Sequence, residues 1–226
     1  MAKIKICGLK SEDDIKMVNE LKPDYCGFII DFPKSHRSKT PDEVRKLVSL
    51  LQKEEVVPVG VFVNEDVEIV ASLINDGTIS IAQLHGNEDE NYISQLRKLI
   101  DNKSDNVYSI DNKDSDVKII KAFQIKSEAD FEIAKISKAD MILLDQGQGS
   151  GETFDWSLIK TEEICRKWIL AGGLNEKNIA LAIDKFSPYA VDLSSAVETD
   201  NKKDYHKVKN MIELVRKTGN GGNRND

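Results

Sequence analysis

Apolar and polar positions follow two different spacings along the chain. Short apolar runs rich in Val, Ile, Leu and aromatic residues are typical of buried strands, and a longer segment with amphipathic-helix spacing follows each one. The runs predict strands over residues 3–7, 25–30, 57–62, 79–84, 117–122, 141–144, 168–171 and 190–193. The longer segments predict helices over residues 12–21, 41–52, 66–74, 88–100, 128–136, 156–163, 176–185 and 203–217.

Repeated strand–helix alternation indicates a parallel sheet, because parallel strands need a crossover between them. There are eight such units and no room in the chain for extra strands, which favours a closed barrel over an open, doubly wound sheet. We therefore predict an α/β fold, a single-domain (β/α)8 TIM barrel over residues 1–217. The first strand ends in Cys7-Gly8-Leu9, which is not the glycine pattern of a dinucleotide-binding fold. The polar residues 101–116 predict an irregular insertion before the fifth strand, and residues 218–226 predict a disordered tail.

Composition and charge narrow the class of protein. The chain has 226 residues, of which 40% are hydrophobic and 31% charged, as in ordinary globular domains. Its net charge of -7 argues against general nucleic-acid affinity. The three cysteines Cys7, Cys26 and Cys165 are too few and too widely spaced for a disulfide framework or a zinc motif. We therefore expect a cytoplasmic protein with no signal peptide and no membrane span.

The carboxyl ends of all strands meet at one mouth of a closed barrel, where such folds carry their active sites. The sequence places a thiol (Cys7), a carboxylate (Asp145), a cation (Arg37) and two further polar side chains (Gln83 and His85) at this mouth. The other polar residues expected there are Asn64, Gln124 and Asp192. The set as a whole is more informative than any of its members alone.

Each member also has a simpler interpretation. A lone cysteine near an apolar strand is more often a small core residue than a catalyst. Arg37 lies in a basic loop that could merely be solvated, although arginine suits bidentate binding of a carboxylate. The glycine-rich loop from Asp145 to Gly151 could close over a ligand or simply end a strand.

The loops after the seventh and eighth strands are the usual phosphate site of such barrels. Gly172 and Gly173 let backbone N–H groups approach an anion, and we expect Asn175 to cap the next helix. Ser194 and Ser195 add hydroxyl donors after the eighth strand. Either loop alone could be a plain turn, but together they favour a bound phosphate group.

Eight short motifs occur along the chain in the order in which one enzyme family carries them. They are KICGL from Lys5, PKSHR from Pro33, VGVFVN from Val59, QLHG from Gln83, LLD from Leu143, GSGETFDW from Gly149, AGGL from Ala171 and VDLSSAVE from Val191. Outside the predicted insertion and tail, the chain resembles the phosphoribosylanthranilate isomerases of tryptophan biosynthesis throughout.

The resemblance implies an Amadori rearrangement of N-(5-phosphoribosyl)anthranilate to its 1-deoxyribulose 5-phosphate isomer, without metal or cofactor. It implies Cys7 as the general base, Asp145 as the general acid and Arg37 as the ligand of the anthranilate carboxylate. The two loops would hold the 5-phosphate, and Gln83 and His85 would line the rest of the pocket. The expected partner is the small-molecule substrate, with no nucleic acid or membrane, and the protein is expected to be a monomer or homodimer.

The chain departs from the family pattern at Lys10-Ser11, where a Thr-Arg pair is usual, at Ala196, where glycine is usual, and at the predicted insertion. Three other functions stay open. Cys7 could be a nucleophile activated by His85 or His36, or the barrel could bind phosphate without catalysis. A related sugar-phosphate isomerase is the third, although such barrels usually carry a second carboxylate in place of the thiol.

Overall fold

The computed structural model describes residues 1–101, 118–145 and 158–218. Eight parallel strands form a closed barrel in chain order, in which the first strand pairs with the eighth. This confirms the predicted single-domain (β/α)8 barrel. The strands are β1 (Lys3–Cys7), β2 (Tyr25–Ile29), β3 (Val57–Phe62), β4 (Ile81–Leu84), β5 (Ile119–Gln124), β6 (Met141–Asp145), β7 (Trp168–Ala171) and β8 (Ala190–Leu193).

Helices follow the strands and pack on the outside of the barrel. They are α1 (Glu12–Leu21), α2 (Pro41–Val48), α3 (Val67–Asn75), α4 (Glu90–Asp101), α5 (Glu128–Ile136), α6 (Ile179–Phe186) and α7 (Tyr205–Thr218). None of the helices in the described ranges is long and apolar enough to cross a membrane. The predicted insertion after residue 101, the glycine-rich loop after residue 145 and the tail after residue 218 lie outside the described residues.

The helix predicted over residues 156–163 is wrong in its described part. Residues 158–163 contain a 3₁₀ turn over Thr161–Glu163 and no α-helix. Ile159 is buried in the outer core and Leu158 packs against it. These two apolar side chains therefore reach the core from an irregular segment, and their spacing does not report a helical face.

Asn175 does not cap α6, which corrects a second prediction. The helix begins at Ile179, and the Oδ1 of Asn175 accepts a hydrogen bond from the backbone N–H of Lys177 (2.9 Å). This bond to a residue two positions ahead closes a local turn, which competes with helix formation at the same residues. The helix start is consequently delayed by three residues relative to the predicted start at residue 176.

Hydrophobic side chains form two layers of core. One layer fills the barrel, and the other lies between the strands and the helices. The alternation of side chains along each strand separates the two layers. The described members of the inner layer are Tyr25, Val57, Val59, Ile81, Ile120, Ala122, Met141, Leu143, Ile169, Ala171 and Ala190.

Local hydrogen bonds fix the loops that reach the mouth. The loop after β2 is closed at its base, where Asp31 N donates to Lys39 O (3.0 Å) and Lys39 N donates to Ile29 O (2.9 Å). The loop after β1 is short because α1 begins at once, with Ser11 as its N-cap. Arg37 and Cys7 are therefore carried on well-defined backbone.

Candidate active site

Cys7 ends β1 at the mouth of the barrel, with 7% of its surface exposed. Burial raises the pKa of its thiol, and the nearby ammonium group of Lys5 opposes that rise. Lys5 itself is fully buried, and its Nζ lies 3.0 Å from both carboxylate oxygens of Asp192. The thiol therefore stands beside a buried ion pair rather than in a purely apolar core.

Arg37 reaches the same side of the mouth from the loop after β2. Its Nε and Nη2 donate to the two carboxylate oxygens of Glu198, at 2.7 and 2.5 Å. Gly8 makes this approach possible, because a Cβ there would clash with the Cδ of Arg37. The φ of Gly8 is +84°, which also favours glycine.

Glu198 is carried by a small hairpin that follows β8. Its strands are β9 (Glu198–Thr199) and β10 (Lys202–Lys203), paired antiparallel. The two turn residues, Asp200 and Asn201, have φ of 50° and 59°, and such left-handed pairs suit the twist of a tight hairpin. The hairpin therefore folds Lys203 back onto Glu198.

Two cations hold Glu198 in its charged form. The Nζ of Lys203 lies 2.7 Å from one carboxylate oxygen and donates to the carbonyl of Ser194 (3.0 Å). Burial raises the pKa of Glu198, but the hydrogen bonds and charges of Arg37 and Lys203 outweigh it and lower the pKa to about 2. Glu198 is therefore a fixed anion that orients Arg37.

Asp145 ends β6, beside the imidazole of His85. The Nε2 of His85 lies 3.4 Å from Oδ2 of Asp145, and Nδ1 lies 3.1 Å from Nε2 of Gln83. Gln83 is buried, so the amide fixes the imidazole from the barrel side. An open cavity of about 640 Å³ lies at this part of the mouth, and its lining includes His85, Gln124 and Asp145.

The two candidate phosphate loops lie after β7 and β8. Gly172 and Gly173 have φ of 86° and 63°, a left-handed conformation that glycine adopts at no steric cost. Ser194 donates its hydroxyl to the carbonyl of Cys7 (3.2 Å), which ties the second loop to β1. Ser195 is exposed and begins the 3₁₀ turn Ser195–Val197.

The predicted site residues form two groups. Cys7, Arg37 and Ser194 lie on the β8–β1–β2 side of the barrel, whereas Gln83, His85 and Asp145 lie on the β4–β6 side. The hypothesis that His85 activates Cys7 finds no support, because the imidazole nitrogens contact Gln83 and Asp145 instead. Across the described ranges, no group of three or more His, Cys, Asp or Glu could hold a metal ion.

The sequence reasoning missed the charged residues that surround Cys7 and Arg37. Lys5 carried a signal, since a lysine inside an otherwise apolar strand needs a partner. Glu198 and Lys203 flank the Asp200-Asn201 pair, which is a recognisable hairpin turn. The contact of that hairpin with Arg37 had no local signal.

Comparison with known proteins places this geometry in one family. The family model described as N-(5'phosphoribosyl)anthranilate (PRA) isomerase matches residues 4–104 and 102–214. An N-(5'-phosphoribosyl)anthranilate isomerase of Thermoanaerobacter pseudethanolicus is 40% identical over 221 residues, which cover 96% of this chain and 98% of the relative. One of Clostridium acetobutylicum is 38% identical over 224 residues, 96% of this chain and 99% of the relative.

Solved structures agree with the sequence comparison. The phosphoribosyl anthranilate isomerase of Thermotoga maritima superposes with a TM-score of 0.78 at 33% identity, covering 96% of this chain and 100% of that chain. Another, in complex with reduced 1-(o-carboxyphenylamino)-1-deoxyribulose 5-phosphate, gives a TM-score of 0.77 at 32% identity and the same coverage. This chain therefore belongs to the N-(5'-phosphoribosyl)anthranilate isomerase family.

Proposed function

We propose that this protein catalyses the Amadori rearrangement of N-(5-phosphoribosyl)anthranilate to 1-(2-carboxyphenylamino)-1-deoxyribulose 5-phosphate in tryptophan biosynthesis. Membership of the isomerase family over nearly the whole chain is the observation that carries the proposal. Cys7 is the general base and Asp145 the general acid. A thiol and a carboxylate at the mouth of one barrel support these roles.

The acid step opens the sugar ring. Asp145 gives its proton to the ring oxygen as the bond from that oxygen to C1 breaks, and the nitrogen lone pair forms a Schiff base at C1. Asp145 must therefore carry a proton when the substrate binds. His85 contacts Oδ2 of Asp145 and Gln83 holds the imidazole, so both residues support the acid from the side of the cavity.

The base step follows on the other side of the substrate. The Cys7 thiolate takes the C2 proton, the C2–H electron pair forms the C1–C2 double bond, and the Schiff-base electron pair returns to nitrogen. The enol then tautomerises to the ketone, so no proton is gained or lost overall. The two steps act on different faces, in keeping with the separation of β1 from β6 around the barrel.

Arg37 binds the anthranilate carboxylate. A guanidinium carries five N–H donors, so the pair of bonds to Glu198 leaves donors for a second carboxylate. Gly172 and Gly173 offer backbone N–H groups to the 5-phosphate, and Ser194 and Ser195 supply the second loop. We further propose that the barrel extends over residues 1–217, with 218–226 as a tail, and that the enzyme acts in the cytoplasm as a monomer or homodimer.

The proposal is tested by following the loss of anthranilate-adduct fluorescence with freshly made substrate. We expect Cys7→Ala and Asp145→Asn each to lower kcat by more than about 100-fold, the scale of losing a general acid or base. Cys165→Ser and Asp184→Asn are the matched controls, because both positions lie outside the mouth, Cys165 is exposed and Asp184 is on the surface of α6. Wild-type turnover by the folded Cys7 and Asp145 variants would contradict the assigned roles.

A further inference from the structure

Cys7 shares the barrel interior with a buried ammonium group. Lys5 and Cys7 are two positions apart on β1, so their side chains leave the strand on the same face. The Nζ of Lys5 is fully buried and pairs with both oxygens of Asp192 on the neighbouring strand β8. A buried lysine needs such a partner, but the ion pair does not by itself require a position beside a thiol.

Gly27 makes room for the thiol and the ammonium group to meet. It lies on β2 directly opposite Cys7 in the strand register. A Cβ at Gly27 would lie 2.9 Å from Sγ of Cys7 and 3.0 Å from Nζ of Lys5. A side chain there would therefore displace one or both groups. The space left by Gly27 is the place where they approach each other.

Several charged or titratable groups interact electrostatically with the Cys7 thiol. They are Lys5 on β1, Cys26 on β2, Arg37 in the loop after β2, Asp192 on β8 and Lys203 on β10. Burial has the largest effect and raises the pKa of Cys7. The charge of Lys5 opposes burial most strongly, with further help from its hydrogen bond to the sulfur. Lys203 acts in the same direction more weakly, and Asp192 acts against it.

Lys5 stays protonated while it does this. Burial lowers its pKa, but the charges of Asp192 and Cys7 and its hydrogen bonds to both outweigh burial, so the pKa of Lys5 is raised overall. An ammonium group in this state cannot accept the proton of the thiol. Its effect on Cys7 is that of a fixed positive charge in a dry environment, where charges act more strongly than in water.

We propose that Lys5 is a positioning residue that stabilises the thiolate of Cys7 through its ammonium group, with Asp192 holding that group in place. This inference rests on the proposed function, in which Cys7 is the general base. The thiolate takes the C2 proton of the substrate and becomes a thiol, and it releases that proton to water before the next turnover. Lys5 remains charged throughout.

The test measures the ionisation of Cys7 directly. The rate of alkylation of Cys7 by iodoacetamide is followed against pH in the Cys165→Ser protein, with the modified peptide identified by mass spectrometry. We expect Lys5→Met to move the midpoint of this profile upward by at least about one pH unit, which slows alkylation below the midpoint about tenfold. A profile unchanged in the folded Lys5→Met protein would overturn the proposal.

The direction of the shift separates an electrostatic role from a structural one. If Lys5 only held the barrel together, its loss would let water reach Cys7 and would lower the pKa of the thiol, because hydration favours the thiolate. Lys121→Met is the matched control. Lys121 is also a buried lysine paired with a carboxylate, Glu88 (3.2 Å), but it lies on β5 and points away from the barrel interior, so we expect no shift of the Cys7 profile in that variant.

The single variant leaves Asp192 without its counter-ion and could fail to fold. The double variant Lys5→Met/Asp192→Asn removes both charges and keeps similar side-chain volumes. The midpoint should still rise in it, because the charge of Lys5 acts on Cys7 more strongly than the opposing charge of Asp192. A midpoint at or below that of the parent protein in the double variant would equally overturn the proposal.

Turnover distinguishes failure of this inference from failure of the proposed function. Because activity needs the thiolate, it rises with pH through the pKa of Cys7, and Lys5→Met should move that rise to higher pH by the same amount as the alkylation profile. KM should stay within about twofold, since Lys5 has no exposed surface for the substrate to contact. Full turnover by Cys7→Ala would refute the proposed base while leaving the alkylation result standing.

Discussion

Glu198 is the residue that connects most of the charged groups on the Cys7 side of the mouth. It accepts hydrogen bonds from Arg37 and Lys203, and its own backbone carbonyl accepts one from Lys207 (2.7 Å). The side chain of Glu198 is only 6% exposed, so its two cations are held in a weakly screened environment. The arginine is therefore oriented before any substrate carboxylate arrives, which lowers the ordering cost of binding.

This arrangement predicts a specific dependence of stability on pH. The pKa of Glu198 is about 2 in the folded protein, against an ordinary value of 4.5. A lowered pKa contributes stability that is fully present above the unfolded value and is lost as pH falls toward the folded value. We therefore expect the free energy of unfolding of the wild type to fall more steeply between pH 4.5 and about 2 than that of Glu198→Gln.

Urea unfolding measured at several pH values in this window tests the Glu198 prediction. Glu54→Gln is the control. Glu54 is exposed and precedes β3, so this variant should follow the wild-type slope. Glu198→Gln should also raise KM, because Arg37 loses the anion that orients it. Parallel slopes for the wild type and Glu198→Gln would contradict the prediction, because they would show that the charge of Glu198 does not affect the free energy of unfolding in this pH window.

At the scale of elements, the link between β1 and α1 explains one departure from the family pattern. Ser11, in the Lys10-Ser11 pair, is the N-cap of α1, and its hydroxyl accepts from Asp14 N (3.2 Å). The carboxylate of Asp14 accepts in turn from the backbone N–H groups of Lys10 and Ser11, at 2.8 and 3.1 Å. This reciprocal capping box fixes the start of the helix immediately after Cys7 and Gly8.

We expect Ser11→Ala to lower the free energy of unfolding by about 1 kcal/mol, the usual cost of losing an N-cap side chain. Its kcat should change little, because the remaining Asp14 bonds still hold the backbone after β1. Ser72→Ala is the matched control. That hydroxyl lies inside α3 and only donates to the carbonyl of Ile69 (2.8 Å), so its loss should cost almost nothing.

Thermal and urea unfolding of Ser11→Ala and Ser72→Ala check this comparison. Equal stability of the two variants would contradict the role assigned to the cap.

The bounds of strands are predictable from the sequence where a continuous apolar run coincides with a strand that pairs on both sides. The bounds expected for β3, β7 and β8 agree with the structure, since each apolar run is buried on both faces of the barrel wall. The spacing of apolar residues predicted a helix that is absent at residues 158–163, where apolar side chains reach the core from an irregular segment. It also missed the β9–β10 hairpin, because two-residue strands carry no periodic signal.

At the scale of the whole molecule, the outer core and the mouth are separate parts of one barrel. Phe131 and Ile133 lie on the same helix, α5, but Phe131 is 1% exposed and packs in the outer core, whereas Ile133 is 58% exposed. We expect Phe131→Ala to lower the free energy of unfolding by about 3–5 kcal/mol, since it leaves a large cavity. Ile133→Ala should change it by no more than about 0.5 kcal/mol.

Activity per folded molecule should be unchanged in both α5 variants, because neither side chain reaches the mouth. Urea unfolding gives the stabilities, and turnover below the unfolding range gives kcat. A large loss of kcat in folded Phe131→Ala would mean that the outer core sets the geometry of the site more closely than the packing indicates.

The sequence by itself determined the architecture and the family of this protein. Strand and helix periodicities are local, so the alternation of units could be recognised along the chain, and eight of them close into a barrel. The motifs at the strand ends then identified the residues of the mouth, including Cys7, Arg37 and Asp145.

Tertiary structure alone decided which charges meet at that mouth. Lys5 and Asp192 are 187 positions apart, and Arg37 and Glu198 are 161 positions apart. Nothing in the local pattern links such residues, because their contacts exist only once β1 pairs with β8 and the hairpin after β8 folds back over the mouth. Closure of the barrel therefore created the environment of the thiol that the sequence had only placed at the end of a strand.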